Sequence, residues 1–459
     1  MNFQEAYNYI ISLANIPRKE YMADPKHCPW YLKRLKFFLR ILGNPEKKIP
    51  HIIHVTGTSG KGSVCLMLDS ILREAARHRA KNFGVVGTLT SPHASAIMER
   101  WEVNGRPMPK KEFAALVEKI KPKLDQYMRK TPYDMLAYGE LATAMALYYF
   151  AKKKIEWAVL EVGCGGRYDS TNVIPRKDVA VITNIGLDHT QTLGNTKEKI
   201  AYEKAGIIKR GCQVFTMETN KKILRVIEKE CQKNHAPLKI VYPLGWLHSS
   251  AKGGLWSQRM HSGSTALWDY GASRLPVLGA HQQKNAALAA AVARSIGISE
   301  KAITRGLAKV KLPIRMEVVS RKPIVILDGA HNKDKMQTTV EAISSPFIRG
   351  RRGGGRGNIH LILGFADNKD YPAMLKQLAA LKPTTVACTR FSHNFFRKAA
   401  DPKILAAKIK KLLPRAKTEI FLDVLDGFSW SKKQAAPSDI ILCTGSIFLS
   451  GELRLKIIR

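Results

Sequence analysis

Short runs of apolar residues recur along the chain and alternate with segments in which apolar residues return every three or four positions. The short runs are typical of buried strands, and the longer periodic segments are typical of amphipathic helices. The predicted strands are residues 52–56, 83–89, 157–162, 179–185, 214–217, 324–328, 360–364, 385–389, 419–422 and 440–444. Strands that alternate with helices predict α/β domains with mostly parallel sheets, in which ligands bind at the carboxyl ends of the strands.

A regular helical pattern follows the first predicted strand, at residues 63–75. Its apolar face consists of Val64, Met67, Leu68, Ile71, Leu72 and Ala75. Residues 243–277 differ, because they are rich in Gly, Ser and Trp and have little helical period. We predict that this segment is an irregular or antiparallel excursion.

The boundary between two domains is predicted near residue 312. An Ala-rich helical pattern at 282–295 and a shorter one at 300–310 precede a new series of strands that begins at Met316. We therefore predict that residues 1–312 form the first domain and residues 313–459 the second.

The composition is that of a globular protein with a strong excess of basic residues. Of 459 residues, 45% are hydrophobic and 24% charged, which argues against global disorder. The formal net charge is +38 at pH 7, a field that attracts nucleic acids, nucleotides or small acids. The seven cysteines form no CxxC pair, and the chain shows neither a signal-peptide pattern nor an apolar run long enough to span a membrane. These features predict a cytoplasmic protein with reduced thiols.

The strongest local motif is HVTGTSGKGS at residues 54–63, between a predicted strand and a predicted helix. Its three glycines allow tight turns that direct backbone N–H groups at phosphate oxygens, and the helix N-terminus adds positive potential. Lys61 would then contact the β- and γ-phosphates, and the Ser63 hydroxyl would face Mg²⁺. A glycine-rich surface turn is the alternative, but the flanking strand and helix argue against it.

Polar residues also end other predicted strands of the first domain. Glu161 interrupts an apolar run, so we expect it to bind metal or substrate, or to form a salt bridge with Arg167. His189 follows the strand at 179–185, and Ser91 follows the strand at 83–89. A single histidine is more often structural, but its place at a strand end favours a ligand contact.

Three residues outside these strand ends are also candidates. Lys204 lies at a predicted helix end, where a solvated lysine is the ordinary expectation. Asp328 and His331 belong to LDGAHN at the end of a strand in the second domain, which favours contacts with a polar ligand. A local turn stabilised by the Asp328 side chain is the alternative.

Taken together, the motifs resemble those of the folylpolyglutamate synthase/dihydrofolate synthase family within the Mur-ligase superfamily. The matching blocks run in the family's order over nearly the whole chain: HVTGTSGKGS, TSPHASAIMERWEVNG, YGELATAMALYYF, AVLEVGCGGRYDSTNVI, ITNIGLDHTQTLGNTKEKIAYEKAGIIK, GAHQQKNAALAAA, RMEVVSRKPIVILDGAHN and TGSIFLSGELR. The resemblance implies a Mur-ligase-type P-loop ATPase domain and a smaller, Rossmann-like glutamate-ligase domain. It also implies an ATP-dependent ligase that phosphorylates a folate or dihydropteroate carboxylate and joins the acyl phosphate to L-glutamate.

The resemblance further assigns roles to individual residues. It implies that ATP is bound by Thr58, Gly60, Lys61, Gly62, Ser63, Asn285, Arg315 and Asp328. It implies that two Mg²⁺ ions are held by Ser91, Glu161, His189 and Lys204, the last as a carbamate. His331 is expected near phosphate or glutamate and, with Lys61 and Lys204, completes the predicted catalytic set. A monovalent cation is a further candidate cofactor, and the family suggests a monomer.

The chain departs from the family pattern at a few positions, which leaves the acceptor acid open. Ser59 replaces an Asn in the phosphate loop, and Ile314 stands where a Gly commonly precedes Arg315. Another Mur-type amino-acid ligase is therefore an alternative function. A nucleic-acid-binding P-loop ATPase is a second one, favoured by the net charge and by RGRRGGGRG at 349–357. The chain has no basic stripe interleaved with aromatic residues for base stacking, which disfavours a nucleic-acid partner.

Overall fold

The computed structural model describes most of the chain as two compact units. The described residues are 1–21, 28–78, 83–242, 278–345, 357–392 and 397–458. The first unit contains the described residues of 1–91, 98–242 and 283–310, and the second contains those of 92–97, 278–282 and 311–458. The predicted excursion at 243–277, and all of the 349–357 loop except Gly357, lie outside the described residues.

An eight-stranded sheet forms the centre of the first unit, in the order β4-β3-β2-β5-β1-β6-β7-β8. Its strands are β1 His51–Thr56, β2 Val86–Leu89, β3 Trp101–Val103, β4 Arg106–Pro107, β5 Trp157–Glu161, β6 Val179–Ile182, β7 Gln213–Thr216 and β8 Leu238–Ile240. Only β3 and β4 run antiparallel to their neighbours. Strand β1 lies between β5 and β6, with Val55 opposite Glu161 and Thr56 opposite Ile182. The loops that follow these three strands therefore leave the sheet side by side.

Ten helices accompany this sheet in the described ranges. They are α1 Phe3–Ser12, α2 Cys28–Ile41, α3 Lys61–Arg77, α4 Lys110–Lys130, α5 Tyr138–Lys152, α6 Thr190–Leu193, α7 Lys197–Ala205, α8 Lys221–Lys233, α9 Ala280–Ser295 and α10 Glu300–Lys309. Helix α3 begins two residues before its predicted start, because Gly60 adopts a left-handed φ of 84° and turns the chain directly into the helix. The predicted apolar face of α3 is buried, as the pattern indicated.

The second unit has a six-stranded sheet in the order β13-β12-β11-β14-β10-β9. Its strands are β9 Glu317–Arg321, β10 Ile324–Leu327, β11 Ile359–Leu363, β12 Thr385–Cys388, β13 Lys417–Ile420 and β14 Ile440–Thr444. Its helices are α11 Lys333–Ser344, α12 Tyr371–Ala379, α13 Pro402–Leu412, α14 Val424–Gln434 and α15 Ile447–Ile457. All neighbouring strands are parallel except β9 with β10. Two mostly parallel sheets confirm the predicted α/β fold class.

One strand lies in a different place from its prediction. The pattern placed a strand at 419–422, whereas β13 covers 417–420 and pairs through Lys417 to Ile420 with β12. Ile420 and Leu422 are 45% and 67% exposed. Because β13 is an edge strand, its backbone pairing and not the burial of these side chains determines its limits.

The cysteines and the apolar character of the helices were both subjects of the sequence predictions. All seven cysteines are free thiols, and six of them are buried. Within the described ranges, no helix combines the length and the apolar character needed to cross a bilayer.

Candidate functional site

The phosphate loop lies at the carboxyl end of β1 and turns into α3. At Gly57, φ is 147° and an added Cβ would lie 1.8 Å from Thr183 Oγ1, so only glycine fits. The Lys61 side chain folds back over the loop, and its Nζ donates to the Gly57 carbonyl at 2.9 Å. Backbone turns of this kind at a helix N-terminus create a site for anions such as phosphate.

The segment after β6 fixes the shape of this loop. Asn184 Oδ1 accepts a hydrogen bond from the Ser59 N–H at 2.8 Å, and Thr183 Oγ1 donates to the Ser59 carbonyl at 2.6 Å. The Thr58 hydroxyl donates to the Gly186 carbonyl at 3.1 Å and accepts from the Gly186 N–H at 2.9 Å. Thr183 and Asn184 were missed as site residues, although two polar residues directly after a buried strand were a usable signal.

Glu161 ends β5 as a buried carboxylate, with 4% of the residue exposed. Its Oε2 accepts a hydrogen bond from the Ser91 N–H at 2.9 Å. This contact brings Ser91 and Glu161 together, as expected for the ends of two neighbouring parallel strands. The alternative salt bridge with Arg167 is wrong, because the Arg167 guanidinium bonds to Glu230 at 2.9 Å.

Lys204, near the end of α7, is buried and not solvated. The residue is 4% exposed, and its Nζ donates to the Gly57 carbonyl at 2.9 Å. Lys61 and Lys204 therefore share one acceptor in the phosphate loop. Burial, together with the positive charge of Lys61, lowers the pKa of Lys204 to about 7. A substantial fraction of this amine is therefore neutral near pH 7, and the neutral form is the nucleophilic one.

His189 and Asn285 belong to two different helices of the first unit. His189 is the N-cap residue of α6, in a left-handed conformation with φ 49°, and its N–H donates to Asp188 Oδ1 at 3.0 Å. Asn285, on α9, is 6% exposed. A Cβ added to Gly60 would lie 2.5 Å from Asn285 Oδ1, so the amide lies directly against the phosphate loop.

The donor groups near Glu161 fit Mg²⁺ bound together with a nucleotide. Among the described residues, no three His, Cys, Asp or Glu side chains gather into a ready-made metal cage. Mg²⁺ in nucleotide sites is usually held by one or two carboxylates, with phosphate oxygens and water completing an octahedron. A single buried carboxylate at a strand end, in the same sheet as a phosphate loop, matches that arrangement.

Asp328 directly follows β10 in the second unit, and its carboxylate accepts three hydrogen bonds from nearby groups. Its Oδ1 accepts hydrogen bonds from the Ala330 N–H at 3.0 Å and from Thr339 Oγ1 at 2.7 Å. Its Oδ2 accepts from the Met316 N–H at 3.1 Å. The contact with Ala330 is the local side-chain turn that the sequence offered as the alternative.

The same hydrogen bonds bring Arg315 beside the LDGAHN loop. The Gly329 N–H donates to the Ile314 carbonyl at 2.8 Å, which ties the turn carrying Arg315 to this loop. The Arg315 Nη1 donates to the Pro313 carbonyl at 3.0 Å. His331 contacts the Gly329 carbonyl through Nδ1 at 2.8 Å. Arg315, Asp328 and His331 thus share one edge of the second sheet.

Two family models match the chain. The Mur ligase middle domain matches residues 55–293, and the Mur ligase glutamate ligase domain matches residues 314–447. The dihydrofolate synthase/folylpolyglutamate synthase of Bacillus subtilis is 35% identical over 435 residues, which cover 93% of this chain and 94% of that protein.

Solved structures show the same architecture. E. coli FolC in complex with DHPP and ADP is 26% identical with a TM-score of 0.74, covering 98% of this chain and 97% of that one. The bifunctional folylpolyglutamate synthase/dihydrofolate synthase of Yersinia pestis, complexed with AMPPNP and Mn ion, is 25% identical with a TM-score of 0.75, covering 99% and 98%. The chain therefore belongs to the folylpolyglutamate synthase/dihydrofolate synthase family of Mur ligases.

Proposed function

We propose that this protein is an ATP-dependent ligase that joins L-glutamate to the carboxylate of a folate or a dihydropteroate. The observation that carries the proposal is that the side chains of Lys61 and Lys204 both donate to the Gly57 carbonyl of the phosphate loop. This loop follows β1, and the buried Glu161 ends the neighbouring strand β5 of the same sheet. The names of the relatives, and the ADP or AMPPNP in their structures, support the same activity.

The proposed reaction has two steps. A carboxylate oxygen of the acceptor attacks the γ-phosphorus of ATP, and ADP leaves. The amine of glutamate then attacks the carbonyl carbon of the acyl phosphate, inorganic phosphate leaves and the amine loses a proton. Carboxylate and triphosphate repel each other, so Lys61 and divalent metal supply the positive charge that this encounter needs.

We assign the metal contacts to four residues of the first unit. Ser91 and Glu161 hold one Mg²⁺, and His189 and Lys204 hold the second. The Lys204 amine adds to CO₂ and releases a proton, which produces a carbamate anion in place of a cation. The lowered pKa of Lys204 and its burial beside the phosphate loop support this modification. The Mn ion in the Yersinia pestis structure supports a divalent metal.

The remaining assignments belong to the same proposal. Thr58, Gly60, Gly62 and Ser63 complete the phosphate contacts, Asn285 contacts the adenine, and Arg315 and Asp328 contact ATP. His331 acts near the phosphate or the glutamate. We further propose domain limits of 1–312 and 313–459, a monomer in the cytoplasm, and a monovalent cation as an additional cofactor.

Acceptor profiling with labelled glutamate tests the proposal. Purified protein with ATP and Mg²⁺ should release ADP only when L-glutamate and either dihydropteroate or a reduced folate are present. Mass spectrometry should then show a product that carries one more glutamate. If no pteroate or folate stimulates ADP release, the substrate assignment is wrong. Stimulation by a different acid would favour another Mur-type ligase, and stimulation by RNA or DNA would favour a nucleic-acid-dependent ATPase.

A further inference from the structure

An open groove of about 1030 Å³ lies between α7 and α8 in the first unit. We call it the α7–α8 groove. Leu193, Tyr202 and Val226 give it an apolar surface. Four cationic side chains also line it: Lys199, Arg225, Lys229 and Lys233.

These four cations have no ion-pair partner among the residues that the structure describes. Two of the three acidic residues of the groove are engaged elsewhere. Glu230 is paired with Arg167 at 2.9 Å, and Glu203 accepts a hydrogen bond from the Tyr21 hydroxyl at 3.2 Å. Glu198 remains, in the first turn of α7, where the helix dipole favours a negative charge. Four cations and three carboxylates therefore line the groove, and two of these carboxylates are already engaged by Arg167 and Tyr21.

The cations of α8 form a regular row. Arg225, Lys229 and Lys233 are four residues apart, so they lie on one face of the helix. Each step along the helix axis is roughly 6 Å, at 1.5 Å per residue. A γ-linked glutamyl chain has two more backbone bonds per residue than an ordinary peptide, so its α-carboxylates also repeat at roughly 6 Å when it is extended.

The groove begins close to the phosphate loop. Its wall residue Leu193 ends α6, the short helix that His189 caps, and packs against Gly165, where an added Cβ would lie 2.8 Å from Leu193 Cδ2. The Gly165 carbonyl in turn accepts a hydrogen bond from Thr56 Oγ1 at 2.7 Å. One end of the groove is thus separated from the last residue of β1 by a single layer of residues.

We propose that the α7–α8 groove binds the γ-glutamyl tail of the acceptor, with the α-carboxylates of the tail paired to the cations of α8. This inference rests on the proposed function, because it assigns a second contact to the acid that the ligase elongates. Acceptors with longer tails make more of these pairs than a monoglutamate does, so their KM is lower.

Two variants of equal charge change test the groove. Arg225→Glu/Lys229→Glu reverses two groove cations, and Lys221→Glu/Lys222→Glu reverses two exposed cations of the same helix that do not line the groove. The KM is measured for a monoglutamyl and a pentaglutamyl acceptor at low and at physiological salt. In the groove variant, the ratio of the pentaglutamyl KM to the monoglutamyl KM should be about tenfold higher than in the wild type. Physiological salt should reduce this difference between the variant and the wild type. The control variant should keep the wild-type ratio.

A direct binding measurement separates this inference from the proposed activity. A fluorescent γ-glutamyl pentapeptide should bind the wild-type and control proteins and bind the groove variant about tenfold more weakly. Binding by a wild-type protein that shows no ligase activity would support the groove and contradict the proposed function. An active wild-type enzyme would overturn the groove proposal if the two variants had the same KM ratio, or if they bound the pentapeptide equally well.

Discussion

Replacing Gly60 with alanine should weaken ATP binding through Asn285. The new Cβ would lie 2.5 Å from Asn285 Oδ1, about 1 Å closer than ordinary contact. The amide is the far end of a rotatable side chain, so it can swing away. It then leaves the position from which we expect it to hydrogen-bond the adenine. Loss of that contact costs about 1–3 kcal/mol of binding free energy, which corresponds to roughly 5- to 150-fold in affinity.

Gly43→Ala is the matched control for this substitution. Gly43 has φ 82° and Gly60 has φ 84°, but a Cβ at Gly43 meets no atom within 4 Å. Both variants should therefore lose about 1–2 kcal/mol of folding free energy, the cost of a left-handed alanine. Melting temperatures should fall by a similar few degrees in the two proteins, while only Gly60→Ala loses nucleotide affinity.

Calorimetric titration with ADP and the KM for ATP measure the effect, and a double-mutant cycle locates its cause. If Gly60→Ala acts by moving Asn285, then Gly60→Ala/Asn285→Ala should bind ADP no more weakly than Asn285→Ala alone. Unchanged nucleotide affinity in Gly60→Ala would refute the position of Asn285 at the nucleotide. An equal loss in Gly43→Ala would show that general destabilisation, and not the local contact, is responsible.

Three further substitutions test other parts of the structure. Lys61→Ala should abolish ATP turnover with an unchanged circular dichroism spectrum, and full turnover would contradict the phosphate-loop assignment. Lys204→Ala should lower metal-dependent activity, and short carboxylic acids should restore part of it; near-normal activity would make Lys204 a structural residue. Burial holds the pKa of Lys177, which donates to His54 Nδ1 at 2.5 Å, well below its ordinary value of 10.5. The unfolded chain then binds a proton that the folded chain lacks, so stability should rise with pH toward 10.5. Lys204, whose pKa is also lowered, contributes to the same rise. Lys177→Met should therefore make the rise less steep in urea denaturation at pH 7 and pH 9, and an unchanged slope would contradict it.

The sequence analysis predicted those strands that a local run of apolar residues marks in the sequence. Each predicted strand overlaps an observed one. With the exception of the exposed edge strand β13, these strands are largely buried, and strands buried on both faces have continuous apolar runs in their sequences. The strands without a predicted counterpart are β3, β4 and β8, which lie toward the edges of the first sheet, and β9, at an edge of the second. Edge strands are partly exposed and short, so their sequences lack the apolar run that identifies a central strand.

The contacts that shape the candidate site are mostly between residues far apart in the chain. The burial of Lys204 follows from its approach to Gly57, which is 147 residues away. The hydrogen bonds of Asn184 and Thr183 to Ser59 depend on the adjacency of β1 and β6. The sequence marks each residue as polar, but only the strand order determines which of them meet.

Ile314 shows how tertiary contacts offset an unfavourable local residue. A β-branched residue is strained at φ 50°, and Met316 has φ 55°, so the turn around Arg315 costs about 1–2 kcal/mol at each position. Both side chains are buried, at 3% and 2% exposure, and burial of a large apolar side chain contributes about 1.5–3 kcal/mol.

Hydrogen bonds hold the same turn from both sides. The Ile314 N–H donates to Glu317 Oε2 at 2.9 Å, and the Met316 N–H donates to Asp328 Oδ2 at 3.1 Å. Glu317 is itself fixed by the Arg454 guanidinium at 2.9 Å. The backbone therefore keeps the left-handed turn that a glycine would adopt without strain, and Arg315 keeps its place beside Asp328. Burial and these hydrogen bonds outweigh the backbone strain. Ile in place of the usual Gly at position 314 therefore changes the backbone energy of the turn more than its conformation.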